Sequence, residues 1–301
     1  MEKYGTIQVD MDSFWVLDGH YHDEGPCDKI SIYSIVPLFL ELFRKYEVKA
    51  TFFIIGKDLE DENNTPYLKM IVNDGHEVAN HTYNHPVGNF LQNEIIMKEE
   101  IKKCRDIIKN NLNVEVRGFK APAYAINQSI IKALIEEGYL YDSSIHANII
   151  FPFLKFAQKR LFRYKKDAVE FGNWRHLFSR REPYLCNADP KFVEVPVSTM
   201  PFLMLPFHFS FINILGINWF KLADFSMKLS NRRFVNYAFH AIDLTDTADL
   251  CRHIKSRPGL NRPLKDRIAN AEKILNYLKN EFDLLRSDGV FYKITNAYDR
   301  Q

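Results

Sequence analysis

The sequence predicts an α/β fold, a distorted (β/α) barrel of about seven parallel strands with a large irregular insertion. Three observations carry this expectation. Strand-like runs alternate with helix-length periodic segments along most of the 301 residues. Two aspartates share one face at the end of the first strand-like run, and one block, at about residues 145–232, leaves the rhythm. A chain of this length with 46% hydrophobic content can bury one large core, so residues 1–301 read as a single domain. An open doubly wound sheet is the alternative; in both, reactive groups collect at the C-terminal ends of strands.

The first run, "TIQVDMD" at 6–12, points Ile7, Val9 and Met11 one way and Gln8, Asp10 and Asp12 the other. In a barrel the apolar set packs on the helices and the aspartates face the mouth. A plain turn after Asp12 would explain the same residues without chemistry. Helical periodicity follows at about 31–46, then the strand-like "KATFFIIG" at 49–56 and a helix at about 65–74. "GHEVANHT" at 75–82 is the third strand and leads into His81 and His85. If the chain turns helically after Asn80, this i,i+4 pair lies on one face and can chelate one ion. The spacing is common by chance, and its place directly after a strand is what singles it out. Two imidazoles with a carboxylate from the first strand would leave coordination positions open for water and substrate.

A helix at about 92–110, the strand "VRGFKAP" at 116–122, a helix at about 128–137 and the strand "GYLYDSS" at 138–144 continue the alternation. Later come "KFVEVPV" at 191–197, "RFVNYAFH" at 233–240, a helix at about 263–285 and a last strand "VFYKI" at 290–294. Within the insertion, residues 150–166 read as a basic amphipathic helix, with Ile150, Phe153, Leu154, Ala157 and Leu161 opposite Lys155, Lys159, Arg163 and Lys166. The apolar run at about 201–220 is interrupted by Pro206, His208, Asn213, Gly216 and Asn218, which argues against a membrane span. A basic helix beside an apolar segment is the pattern of a protein lying on a membrane surface; a lid on the barrel is the plainer explanation.

Forty Lys+Arg against 38 Asp+Glu leave a net charge of +2, so no global field favours nucleic acid. Cys27, Cys104, Cys186 and Cys251 form no CxxC pair and read as reduced thiols of a cytoplasmic protein. The N-terminal residues pass directly into the first strand, with no signal-peptide pattern. "DGHYHDEGP" at 18–26 reads as a solvated loop, and His76 as a strand-start residue with a structural hydrogen bond. His146, His176 and His208 receive no role.

Taken together, "VDMDSF", "ATFFIIG", "GHEVANHTYNHP", "GFKAPAY", "YDSS" and "FHAID", in this order, make the sequence resemble the polysaccharide deacetylases, the carbohydrate esterases with the NodB homology domain. The resemblance covers residues 5–144 and about 190–295. It implies a distorted barrel hydrolase that removes an N-acyl group, usually acetyl, from an amino sugar. The cofactor it implies is one divalent ion, zinc first, with cobalt, manganese or nickel as alternatives. By resemblance Asp12, His81 and His85 are the metal ligands and Asp10 is the general base. His240 is the general acid, Asp142 orients it, and Tyr124 lies in the loop whose backbone N–H helps hold the oxyanion.

Two departures qualify this picture. Met11 separates Asp10 from Asp12, whereas many members of the family have adjacent aspartates, so which of the two is base and which is ligand stays open. This D-x-D form resembles a subgroup acting on lipid-linked sugars, including the deformylase of the 4-amino-arabinose lipid pathway. Lys120 stands where the family usually has an arginine on the base; it keeps the charge without the planar fork, and Arg117 is the weaker substitute. The expected substrate is an N-acylated amino sugar of a cell-surface polysaccharide or of its lipid-linked precursor, with membrane contact through about 150–220. The rivals are a non-catalytic barrel that binds a glycan or lipid head group, and a hydrolase of a small non-sugar amide.

Overall fold

A computed structural model describes residues 2–18, 31–86, 93–150, 174–248, 250 and 252–299. The strands are β1 (Tyr4–Asp10), β2 (Thr51–Ile54), β3 (Glu77–Asn80), β4 (Gly118–Phe119), β5 (Tyr141–Asp142), β6 (Tyr184–Cys186), β7 (Asp189–Glu194), β8 (Phe234–His240) and β9 (Asp283–Leu285). They form one curled sheet in the order β6-β7-β5-β4-β3-β2-β1-β8, with β9 paired to the start of β1. From β7 to β8 every pairing is parallel, a run of seven strands, and only β6 runs antiparallel, at the β7 edge. Past β7 the chain reaches β8 through the Ser198 N–H to Asn236 carbonyl bond (3.1 Å) and the Asn236 N–H to Ser198 Oγ bond (2.9 Å). The sheet is therefore a half-barrel with a narrow seam, as the distorted barrel predicted.

The alternation expected of β1 is present. Ile7, Val9 and Met11 are fully buried among the helices, with Phe39 set between Phe43, Phe52 and Phe239. Removing each such side chain from water stabilises the fold by roughly 1.5–3 kcal/mol. Gln8 points into the barrel, where its amide donates to Ser143 Oγ (2.9 Å) and Ser287 Oγ (3.0 Å), and Asn236 donates to Ser143 Oγ (3.1 Å). This interior layer is polar and hydrogen-bonded, with the Asn236 side-chain oxygen left without a partner. Gly118 is required in β4 because a Cβ there would lie 2.0 Å from the Tyr141 ring.

Helix ends follow their capping residues. Asn93 accepts from Ile95 and Ile96 N–H to start the helix Glu94–Leu112, which Asn113 ends in the left-handed region (φ 53°). Asn127 caps Gln128–Glu136 in the same way.

Two expectations need correction. "VFYKI" is not a strand; it lies inside the helix Ser287–Tyr298, where Val290 and Phe291 pack on the sheet and Tyr292 faces outward. Its β-branched and aromatic composition mimics a strand, but its burial follows the helical period. The insertion is not irregular throughout: β6, β7 and the helices Phe209–Leu215 and Ile217–Leu229 lie in it, the helices meeting at Gly216 (φ 86°). Among the described residues no helix is long and apolar enough to cross a membrane. The amphipathic segment expected at 150–166, apart from Ile150, and the loop after Asp18 lie outside the described residues.

Candidate active site

β1 and β8 end in register, Asp10 opposite His240, and this sets the spacing of the site. His240 Nε2 lies 3.9 Å from Asp10 Oδ2. Lys120, just past β4 and fully buried, brings its Nζ to 2.7 and 2.9 Å from the two oxygens of Asp10. A buried carboxylate needs such a compensating cation. A lysine point charge thus holds both oxygens although it lacks the arginine fork. Arg117 takes no part; it reaches Asp288 (3.5 Å) instead.

Two residues beyond β1, Asp12 Oδ1 lies 3.3 Å from both His81 Nε2 and His85 Nε2. The predicted helical coil is absent. The chain after β3 is an irregular loop with Thr82 (φ 64°) and His85 (φ 49°) left-handed, and the histidine rings stand 5.0 Å apart. The loop is pinned by Asn80 Oδ1, which accepts from Thr82 N–H (2.7 Å), and by buried Glu100, which accepts from both nitrogens of Asn84 (2.6 Å each).

His81 Nδ1 lies 2.7 Å from the Lys120 carbonyl, which can only accept, so Nδ1 carries the proton and Nε2 presents a lone pair toward Asp12. Asp12 Oδ1 is buried without a hydrogen bond. Burial alone would raise the Asp12 carboxyl, but the two histidines outweigh it and hold it well below the usual range. An orphaned carboxylate oxygen between two imidazole nitrogens, with ligand atoms all within 4.8 Å of one another, fits a divalent cation. Of the two aspartates, Asp12 faces the histidines and Asp10 the lysine.

On the acid side the structure departs from the resemblance. Asp142 does not reach His240; it holds Ser144 (Oγ 2.5 Å) beside Glu194, its register partner on β7, and burial pushes both carboxyls up. Two facing buried carboxyls are stable only when they share a proton. The carboxylate beside His240 is Asp243, in the 3₁₀ turn Ala241–Leu244. It accepts from His240 N–H (2.8 Å) and from Ser210 Oγ (3.0 Å), and Ser210 Oγ lies 3.0 Å from His240 Nδ1. With the serine proton on Asp243, the imidazole must donate from Nδ1, leaving Nε2 to face Asp10. Burial opposes a charge on His240, but Asp243 and the charges of Asp12 and Asp10 raise it to about 9.

Tyr124 and Ala123 are both left-handed, and the Tyr124 N–H is donated to the Ala121 carbonyl (3.1 Å). The free backbone donor implied for an oxyanion is thus taken up in the turn. The Tyr124 ring packs on His146, 4.8 Å between centroids. Sequence reasoning missed Asp243, Ser210 and Asp58. Asp58 braces the turn after Asp12 by accepting from Ser13 Oγ (2.5 Å), Trp15 Nε1 (2.7 Å) and Tyr33 OH (3.0 Å). For Asp243 a signal existed: a carboxylate three residues after a strand-ending histidine, where a turn folds it back.

The profile of the family described as polysaccharide deacetylase matches residues 22–141. That stretch holds His81, His85, Lys120 and the turn of Tyr124. Residues 22–141 belong to the polysaccharide deacetylase family. A peptidoglycan deacetylase from Helicobacter pylori is 30% identical over 157 residues, 50% of this chain and 51% of that protein. A peptidoglycan-N-acetylglucosamine deacetylase from Bacillus cereus is 28% identical over 136 residues, 42% of this chain and 48% of that protein. The chain thus spans about half the length of these relatives. In fold this chain is similar to the crystal structure of a putative polysaccharide deacetylase from Mycobacterium smegmatis (TM-score 0.62, 17% identity, 99% of this chain and 92% of that one). It is also similar in fold to an allantoinase (TM-score 0.58, 13% identity, 96% and 88%).

Proposed function

We propose that this chain is a metal-dependent hydrolase that removes the N-acyl group, acetyl in the first instance, from an amino sugar of a cell-surface polysaccharide. The observation that carries the reading is the pairing of the Asp12, His81 and His85 cluster with Asp10 and His240 at the ends of two in-register strands. Relatives named as deacetylases of peptidoglycan and chitin support the substrate class. Asp12, His81 and His85 would hold the ion, zinc by the chemistry of two imidazoles and one carboxylate. When bound, such an ion polarises the acyl carbonyl and acidifies a water.

The remaining chemistry belongs to the chain. Asp10, oriented by Lys120, accepts a proton from the attacking water. His240, its Nδ1 proton held by Ser210 and Asp243, gives the Nε2 proton to the departing amine nitrogen as the C–N bond breaks. Acid and base stand 3.9 Å apart, so one acyl centre lies within reach of both.

A lipid-linked precursor as substrate, with the protein on the cytoplasmic face of a membrane, belongs to the same proposal. The outer face of the helix Ile217–Leu229 supports it: Leu222, Phe225 and Leu229 are exposed beside Lys221 and Lys228, while Asp224 is turned inward onto Tyr277.

Acetate release from zinc-loaded protein given N-acetylglucosamine oligomers tests the reaction. No release from oligomers or lipid-linked sugars would sink it and favour a binding barrel, whereas turnover of small amides alone would favour the allantoinase-like alternative. Sedimentation with anionic vesicles tests the membrane contact, with Phe225→Glu and Leu229→Glu expected to abolish it.

A further inference from the structure

His208 lies at the N-terminus of the helix Phe209–Leu215, a position where a side chain ordinarily caps; it makes no cap bond. Its imidazole is turned toward the site. The ring centroid lies 5.8 Å from that of His240, 6.0 Å from His146 and 5.0 Å from Phe211. The residue is 7% exposed, and its Nδ1 is buried without a hydrogen-bond partner. An orphaned polar atom at this depth destabilises the protein unless a ligand relieves it. Burial and the neighbouring His240 push the imidazole down to about 3, so it stays neutral, with one donor and one acceptor to offer.

Its position defines what it can meet. His240 delivers its proton to the amine nitrogen of the sugar, and hydroxyls on the carbons flanking the one that bears nitrogen lie roughly one hydrogen-bond length from that nitrogen. Polymer linkage takes the anomeric oxygen, leaving the hydroxyl on the other flank. We propose that His208 is a substrate-binding residue that hydrogen-bonds the ring hydroxyl adjacent to the acylamino group, and so selects amino sugars over amides that lack it. This rests on the deacetylase reading above. A site built to bond a hydroxyl discriminates strongly against analogues without one, because its own polar atom is then left unpaired.

The test is a cycle between protein and ligand. In a zinc-loaded Asp10→Asn background, slowed so that the ligand survives the titration, calorimetry gives Kd for an N-acetylglucosamine oligomer and for its 3-deoxy analogue. With His208 present the deoxy ligand should bind about 10-fold more weakly, and with His208→Ala the two should bind within about 2-fold of each other. The same 10-fold ratio in both proteins overturns the assignment while leaving the deacetylase reading intact. That reading fails separately, by absence of acetate release from the wild type. Should His208→Ala not fold, as judged by its thermal melt, His208→Phe, which keeps the ring volume without a polar atom, serves, and an unchanged ratio there counts equally against the inference.

Discussion

The two halves of the site are held in different ways. On the metal side, Asp12, His81 and His85 are placed through their loops: the Lys120 carbonyl sets the His81 tautomer, and the Asn80, Glu100 and Asp58 side chains pin the turns that carry them. On the acid side, His240 is fixed by side chains, Ser210 and Asp243, one of them borrowed from an insertion helix. Pinning the loops, with His81 tied to a main-chain carbonyl, gives a buried imidazole set in one tautomer. Side-chain pinning leaves a half-buried imidazole whose proton affinity can be tuned by single substitutions.

The largest effect should come from the first half. His81→Ala with His85→Ala should reduce bound zinc, measured by mass spectrometry, to background and abolish activity, while Asp10→Asn should retain zinc and lose about 100- to 10,000-fold in kcat. Near-normal turnover in Asp10→Asn would reverse the assignment of the two aspartates. Next comes Lys120→Met, which leaves Asp10 buried without its cation. A loss of about 3–5 kcal/mol in stability by urea denaturation is expected, with at least about 100-fold in kcat.

The acid half should respond more mildly and through pH. His240 is raised to about 9, so the acid form persists below that value and activity should fall as pH rises through it. Asp243→Asn removes the partner that raises it, so kcat/KM should drop about 10- to 100-fold and the alkaline limb should move to lower pH. Asp142→Asn should leave that limb where it is. A limb that moves with Asp142 and not with Asp243 would restore the partner implied by the resemblance.

The smallest effect lies beneath the metal half, where neutral His76 accepts the Ala50 N–H (2.9 Å) between β2 and β3. Burial, with Lys49 adding to it, depresses its folded pKa to about 4. The unfolded chain takes up this proton near pH 6.5, so the contribution is complete above that pH and is lost as pH falls toward 4. It amounts to about 3 kcal/mol at most. Urea midpoints at pH 7 and 5 should converge in His76→Asn relative to wild type.

The sequence made the metal half legible because its residues sit at strand ends within 110 positions of one another, where a two-residue period and βα alternation determine which side chains face the mouth. The pairing of Lys120 with Asp10 was legible through the family resemblance, which places a cation on the base at that point of the chain. The partner of His240 was not. Asp142 also ends a strand, but its register neighbour on β7 is Glu194, which β-strand pattern alone does not reveal, and Ser210 enters through tertiary packing of the insertion. "VFYKI" misled because composition spoke for a strand while burial followed a helix.

The seam between Ser198 and Asn236 has a mechanical consequence. β8 is laced to β1 along its whole length, from Tyr4 opposite Phe234 to Asp10 opposite His240, yet on its other flank, among the described residues, its main-chain ladder is reduced to the Ser198–Asn236 bonds, with the Asn236 amide reaching across to Val195 (3.2 Å) and Ser143 (3.1 Å). Thermal breathing concentrates where a ladder is thinnest. A strained or heated barrel should thus open along that flank like a zip, while the stitched β1–β8 pair carries the proton donor and acceptor together as one unit. Amide exchange at Ser198 should outpace exchange along β8 by orders of magnitude, with the distance across which the proton is handed over left untouched.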